Sequence, residues 1–258
     1  MFRLNEGIIL MSQPHTSLAL IWQGSYWVTL VFLFSCLSSF LTVVGGRLVS
    51  GRSWMRGRST CDHCQSTIPW YALIPVFGYF MTHCHCPYCQ HKISFYYPFS
   101  EGLVTISSLL LWREDPSFPL SLAIFAVLVT MAGADHTAQW IPDRLQLVLF
   151  LFIFLNSCQH PHFPWMERLS ATLFIGGLLL LLVYCMKSGI GGADIKVLLL
   201  LTWGYGLQGV SLLLLLATSA TLVVILIQSL TRHPSIDQGV PFIPFLAFSY
   251  PMMVLLLR

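Results

Sequence analysis

Apolar runs of near-membrane length, separated by short polar breaks, dominate the chain. A bilayer core of about 30 Å needs roughly 20 apolar residues per helix. By that measure the first span covers residues 26–46. A polar stretch follows over 47–96. Further apolar runs cover 97–112, 120–134, 145–157 and 169–186, then 195–230 and 240–257. The run 195–230 is interrupted by GYGLQG at Gly204–Gly209. Read as a tight hairpin it makes two crossings, and the total is about eight transmembrane segments. One long tilted helix is the alternative.

Composition supports this reading. Of 258 residues, 56% are hydrophobic and 9% charged, whereas soluble domains carry about 25% charged residues. A surface with so few charges does not stay solvated in water, so the fold class is an all-α polytopic membrane protein. The formal charge of +3 is small, and no basic strip interleaved with aromatics points to nucleic acid. The first 25 residues form an N-terminal segment carrying Arg3, Glu6, Pro14 and His15. This is not the layout of a cleavable signal, and Met11 offers an alternative start.

Lysine and arginine set the orientation. Arg47, Arg52, Arg56, Arg58 and Lys92 place the loop 47–96 in the cytoplasm. Alternation then puts Arg113 and Arg168 outside, and Arg144, Lys187 and Lys196 inside. Arg232 and Arg258 exchange sides between the hairpin and single-helix readings, and the balance of charge is the same in both. In either case the loops around Asp135–Arg144 and Lys187–Lys196 share the cytoplasmic face.

The loop holds CDHC at Cys61–Cys64 and CPYC at Cys86–Cys89. Paired CxxC knuckles at this spacing read as a tetrahedral thiolate zinc site. Four thiolates leave no open position, so the metal is structural. Disulfides are the rival, disfavoured in a reducing cytoplasm. Cys84, in HCHC, is an alternative ligand. Cys36, Cys158 and Cys185 lie in or beside apolar runs and read as packing residues.

Three acids stand at membrane edges, where charge is expensive and usually functional. Asp194 lies in GIGGADIK, after Gly189, Gly191 and Gly192; its plain reading is a helix start. Asp143 follows Pro142 and reads as a cap. Asp135, in MAGADHTAQWIPD, has no such explanation. Asp135 and Asp194 together make a candidate two-carboxylate site. Such a pair shares a proton near neutral pH and can hydrolyse a peptide bond without a covalent intermediate. Carboxylates also carry protons or ions in transporters, and a zinc loop can serve a non-catalytic assembly factor, so those readings stand beside it. No HExxH or GxSxG element offers other hydrolytic chemistry.

These elements resemble the type IV prepilin peptidase (leader peptidase) family of GxGD-class membrane aspartyl proteases, from about Ser38 to Pro251. The resemblance rests on the paired knuckles, on YYPFSE with Pro98 and Glu101, on Asp135 followed by Pro142-Asp143, and on GIGGADIK with Asp194 and Lys196. It implies Asp135 and Asp194 as the catalytic pair, with Gly191, Lys196, Asp143 and Glu101 in support. It also implies prepilin or pseudopilin substrates from a pilus or type II secretion machinery, and cleavage at the cytoplasmic face of a bacterial inner membrane. Methylation of the new N-terminus with S-adenosylmethionine is a further activity of many relatives. Residues 47–96 would be the zinc-binding loop and 97–258 the transmembrane catalytic domain. The chain departs from the family pattern at SSFLT, where Ser38 and Thr42 replace glycine and asparagine. Further departures are PFIP, with Ile243 in place of glycine, and Ala193. Both aspartates are intact, and proteolysis ranks above methyl transfer.

Overall fold

The computed structural model describes residues 17–53, 57–61, 63–159, 164–186, 191–230 and 240–257. Arg3, Glu6, Met11, Pro14, His15, Arg56, Lys187, Gly189, Arg232 and Arg258 lie outside them. Among the described residues eight α-helices follow in order: α1 (Ser17–Val49), α2 (Phe77–Met81), α3 (Tyr96–Glu114), α4 (Phe118–Ala138), α5 (Asp143–Gln159), α6 (Trp165–Met186), α7 (Gly192–Leu230) and α8 (Ile243–Leu256). A 3-10 turn at Trp70–Leu73 precedes α2. Helix α1 already covers Gln23 and Ser25, ahead of the apolar run, because such polar residues do not stop a helix. Among the described residues four helices are long and apolar enough to cross a bilayer: Trp22–Val49 of α1, α4, Trp165–Cys185 of α6, and α7.

Helix α4 is the centre of the bundle. It is buried without a break from Val127 to Asp135. It packs against α1 on one side and α8 on the other. Between lipid-bathed helices there is little hydrophobic force, so close backbone approach through small residues drives association. The α1–α4 seam is built this way. A Cβ on Gly133 would come within 2.7 Å of the Thr42 carbonyl oxygen, and one on Gly45 would overlap the Thr130 carbonyl. Ser38 and Thr42 are buried in α1 alongside this seam, and Thr42 Oγ1 donates to the Ser38 carbonyl at 3.0 Å.

Helix α7 runs for 39 residues, with one residue that is not helical. Gly206 has φ 69° and ψ −173°, a conformation available to glycine and strained for other residues. The predicted break at GYGLQG is therefore real, and it divides α7 into legs 192–205 and 207–230. A polar cluster sits against the break. Tyr205 and Tyr250 hydroxyls are 2.6 Å apart, Asn156 Nδ2 donates to Tyr205 at 3.4 Å, and buried Arg168 donates to the Trp203 carbonyl at 3.4 Å. Leu198 and Leu201 before the break and Leu213 and Ala217 after it belong to one apolar core.

One prediction concerns the seam. Overpacking a close-packed contact typically costs about 1–3 kcal/mol. Gly45→Val and Gly133→Val are expected to lower the thermal midpoint of the detergent-solubilised protein. Gly102→Ala, at an open position on α3, leaves it unchanged.

Candidate active site and metal centre

The two knuckles of the loop are built alike. After each second cysteine a glutamine takes a left-handed conformation, Gln65 at φ 58° and Gln90 at φ 57°. Gln65 N donates to the Cys61 carbonyl at 2.9 Å, and Gln90 N to the Cys86 carbonyl at 3.0 Å. Cys61 N donates to the Ser66 carbonyl and Cys86 N to the His91 carbonyl, at 3.0 and 2.9 Å. Backbone bridges Thr60–Thr67 and His85–Lys92 close each turn. These turns aim four sulfurs at one point: Cys61, Cys64, Cys86 and Cys89 lie within 4.8 Å of one another.

The spacing identifies what belongs between them. Cys61 and Cys89 sulfurs are 3.8 Å apart, and Cys64 and Cys86 sulfurs 3.9 Å. A tetrahedron with metal–sulfur bonds of about 2.3 Å has edges of about 3.8 Å, whereas a disulfide needs about 2.05 Å. All four thiols are free. The Ser66 hydroxyl, and then its backbone N–H, hold the Cys64 thiol down at about 6. Backbone N–H groups of Cys89 and then Tyr88 lower the Cys86 thiol. A backbone hydrogen bond from His91 favours the Cys89 thiolate, but burial and the neighbouring Cys64, Cys86 and Cys61 sulfurs push this thiol up to about 12. Cys84 is not in the cluster. Cys36, Cys158 and Cys185 are exposed on the surface of the bundle; the expectation that they pack inside it is corrected.

The aspartates occupy the end of the bundle where α4 finishes and α7 and α8 begin. Asp135 is buried in the last turn of α4, and its Oδ2 accepts the backbone N–H of Ile243 at 3.2 Å. This donor is the first residue of α8, whose N–H has no partner inside its own helix. Asp194 stands in the first turn of α7 as its third residue, three past the capping position at Gly191. Its carboxylate lies back over Gly191, where a Cβ would come within 3.0 Å of Oδ2. The two carboxylates lie close enough for their charges to interact. Residues far apart in sequence thus converge at one end of the bundle.

The supporting residues divide. Asp143, the first residue of α5, accepts an ion pair from Lys196 Nζ of α7 at 2.8 Å. This pair links α5 to α7 two residues along from Asp194. Glu101 is elsewhere: its Oε2 accepts the Val76 N–H at 2.7 Å, and it also bonds Ser39 of α1. Val76 has φ 61°, so Glu101 holds a strained turn of the loop against the bundle. Sequence reasoning missed two features. One is the Ile243 N–H, which as a main-chain group leaves no side-chain signal. The other is a stack of Tyr96 on His136, centroids 3.8 Å apart, beside Asp135. A cavity of about 880 Å³ opens there between loop and bundle, bounded by Arg47, Arg52, Arg58, Lys92, His136 and Glu101.

An all-helical membrane chain with paired carboxylates at one end and a four-cysteine loop beside them defines the class. Two family models match in succession, the Bacterial Peptidase A24 N-terminal domain over residues 32–114 and the Type IV leader peptidase family over residues 122–226. The chain belongs to the type IV leader peptidase family. It is similar to a prepilin leader peptidase/N-methyltransferase of Pseudomonas putida, 29% identical over 88% of this chain and 90% of that protein. Proteins of the same description from Dickeya chrysanthemi and Bacillus subtilis are each 27% identical, covering 89% and 70% of this chain and 92% and 75% of theirs. No solved structure matches it.

The Asp143–Lys196 pair is well exposed, at 83% and 58% of the side chains, and exposed pairs contribute about 0–1 kcal/mol. A double-mutant cycle with Asp143→Asn and Lys196→Met is expected to give a small coupling in thermal stability that fades in high salt.

Proposed function

We propose that this chain is a membrane aspartyl endopeptidase that removes the short leader from type IV prepilins or pseudopilins at the cytoplasmic face of a bacterial inner membrane. One observation carries the reading: Asp135 and Asp194, far apart in sequence, come within electrostatic reach at a single end of the bundle. The names of the relatives point to the same reaction.

The chemistry follows from a carboxylate pair sharing one proton. The ionised carboxylate removes a proton from water, and the water oxygen attacks the scissile carbonyl carbon. The protonated carboxyl gives its proton to the carbonyl oxygen. The tetrahedral diol then collapses, the C–N bond breaks, and the amine leaves with a proton returned by the pair. Acids set for transport belong near mid-membrane, whereas these lie at helix ends, which disfavours a transporter or channel.

Topology fits a substrate that enters from the cytoplasmic edge. At 1.5 Å per residue the second leg of α7 is about 36 Å long. Continued straight on from the first, it would end about 50 Å from Asp194. The remaining residues back to Ile243 reach at most about 45 Å when fully extended. Leu213 and Ala217 also rejoin the core of the first leg. The kink at Gly206 and this shared core support a second leg that folds back, and with it the reading of eight crossings. Residues 47–96 are the cytoplasmic loop and 97–258 the catalytic domain.

Zinc in the Cys61, Cys64, Cys86 and Cys89 site is structural, since every tetrahedral position is filled by sulfur. Purified protein is expected to carry one zinc per chain by metal analysis. Cys61→Ser is expected to lose it and to open the loop to limited proteolysis, because binding and folding of such sites are coupled. Zinc retained by that variant would refute the assignment.

The basic cavity suits a second step. S-adenosylmethionine, an electrophilic methyl donor, carries a carboxylate beside an ammonium. Arg47, Arg58 and Lys92 would hold the former and Glu101 the latter.

Mass spectrometry of a pilin co-expressed with this chain tests both readings. Leader removal is expected with the parent and absent with Asp135→Asn or Asp194→Asn. Cleavage that survives either change overturns the peptidase. An unmethylated product in the presence of S-adenosylmethionine removes the second reading and leaves the first.

A further inference from the structure

The middle of the cytoplasmic loop has the wrong composition for water. From Ile68 to Thr82 it reads IPWYALIPVFGYFMT, without one charged residue. A buried core would explain that, but the large side chains face outward. Trp70 is 74% exposed, Phe77 70%, Phe80 59% and Met81 58%. The patch is held in a defined shape, not a loose coil. Gly78 N donates to the Ile74 carbonyl at 2.7 Å, Ala72 N to the Pro69 carbonyl at 3.1 Å, and Glu101 fastens Val76 between the 3-10 turn and α2.

Its surroundings say what covers it. On α3, the exposed residues Phe99, Ile106 and Leu110 repeat at spacings of seven and four, which is one helical stripe. Phe95, also exposed, extends this stripe past the start of α3. The rings then run on without a gap. Phe95 contacts Phe99 with centroids 6.1 Å apart and Tyr79 at 6.2 Å, and Tyr79 contacts Phe80 at 5.7 Å. At the other end Phe99 meets Phe248 of α8 at 6.4 Å. The lipid-facing surface of the bundle therefore continues onto the loop. Amphipathic aromatics at such a level are the hallmark of the membrane–water boundary.

We infer that the 3-10 turn and α2 lie in the cytoplasmic boundary of the bilayer as a monotopic anchor, with Trp70, Phe77, Phe80 and Met81 inserted among lipid. The occupant of this patch is phospholipid. The anchor fixes the height of the four-cysteine loop above the aspartates, so the loop approaches a membrane-embedded substrate at a set depth.

Site-specific photocrosslinking tests this without reference to catalysis. The full chain is reconstituted in vesicles of phosphatidylethanolamine and phosphatidylglycerol, with p-benzoylphenylalanine in place of Phe77, Phe80, Thr67 or Ile106 in separate variants. The large aromatic replacement conserves bulk at Phe77 and Phe80, and Ile106 marks the yield of a lipid-facing position. The expected result is a phospholipid adduct, by mass, at 77 and 80 at the yield seen at 106, and none at 67. Lipid adducts at 106 but none at 77 and 80 would overturn the anchor. So would protein adducts at 77 and 80, to a second copy or to a co-reconstituted pilin. Because lipid capture needs no leader cleavage, the anchor and the peptidase reading fail separately.

Discussion

A carboxylate placed at the end of a buried apolar helix must find a donor, and the bond from Ile243 N–H to Asp135 supplies one. An unpaired polar group in an apolar environment costs several kcal/mol. The start of α8 has a backbone N–H that its own helix leaves unused. Joining the two satisfies both at once, and it draws α8 against the end of α4. The rest of the site depends on this. With α8 seated, Tyr250 reaches Tyr205 at the break in α7, and the first leg of α7 is held with Asp194 beside Asp135. A single main-chain hydrogen bond at one end and a tyrosine pair at the other thus fix the same helix.

Side chains that carry the proposed chemistry were legible in the sequence; the atoms that position them were not. Acids and cysteines announce themselves in a chain with 9% charged residues, because any charge or metal ligand beside an apolar run needs a reason. The knuckles could be read from spacing because each needs only local turns. The GYGLQG break was readable for the same reason, since glycine tolerates what Gly206 adopts. The Ile243 N–H, by contrast, is identical in every residue but proline, and its partner lies 108 positions away. Cys36, Cys158 and Cys185 were misread in the other direction. Apolar sequence in a membrane helix does not say which face meets lipid, so a small residue there need not be packed.

The loop and the bundle are joined by polar and aromatic contacts of different kinds, and this division has consequences. Glu101 bridges Val76 of the loop to Ser39 of α1, and Tyr96 at the start of α3 stacks on His136, the residue after Asp135. The four-cysteine cluster joins the two knuckles of the loop but includes neither aspartate. Loss of metal would therefore act on the site through Glu101 and Tyr96, by loosening how the loop sits, and not through the carboxylates themselves.

Departures from the family pattern fall where the backbone, not the side chain, does the work. Ile243 stands in place of glycine, yet what Asp135 uses is its N–H, and the isoleucine side chain is fully buried in the core. Ala193 replaces a glycine next to Asp194, while Gly191, where a Cβ would press on the carboxylate, is kept. Ser38 and Thr42 replace glycine and asparagine in α1. Thr42 satisfies its hydroxyl on its own helix, so it enters the α1–α4 seam without demanding a partner across it. The close approach there is made by Gly45 and Gly133. Ile243 thus supplies the backbone donor to Asp135, and Thr42 brings no unmet hydroxyl to the α1–α4 seam.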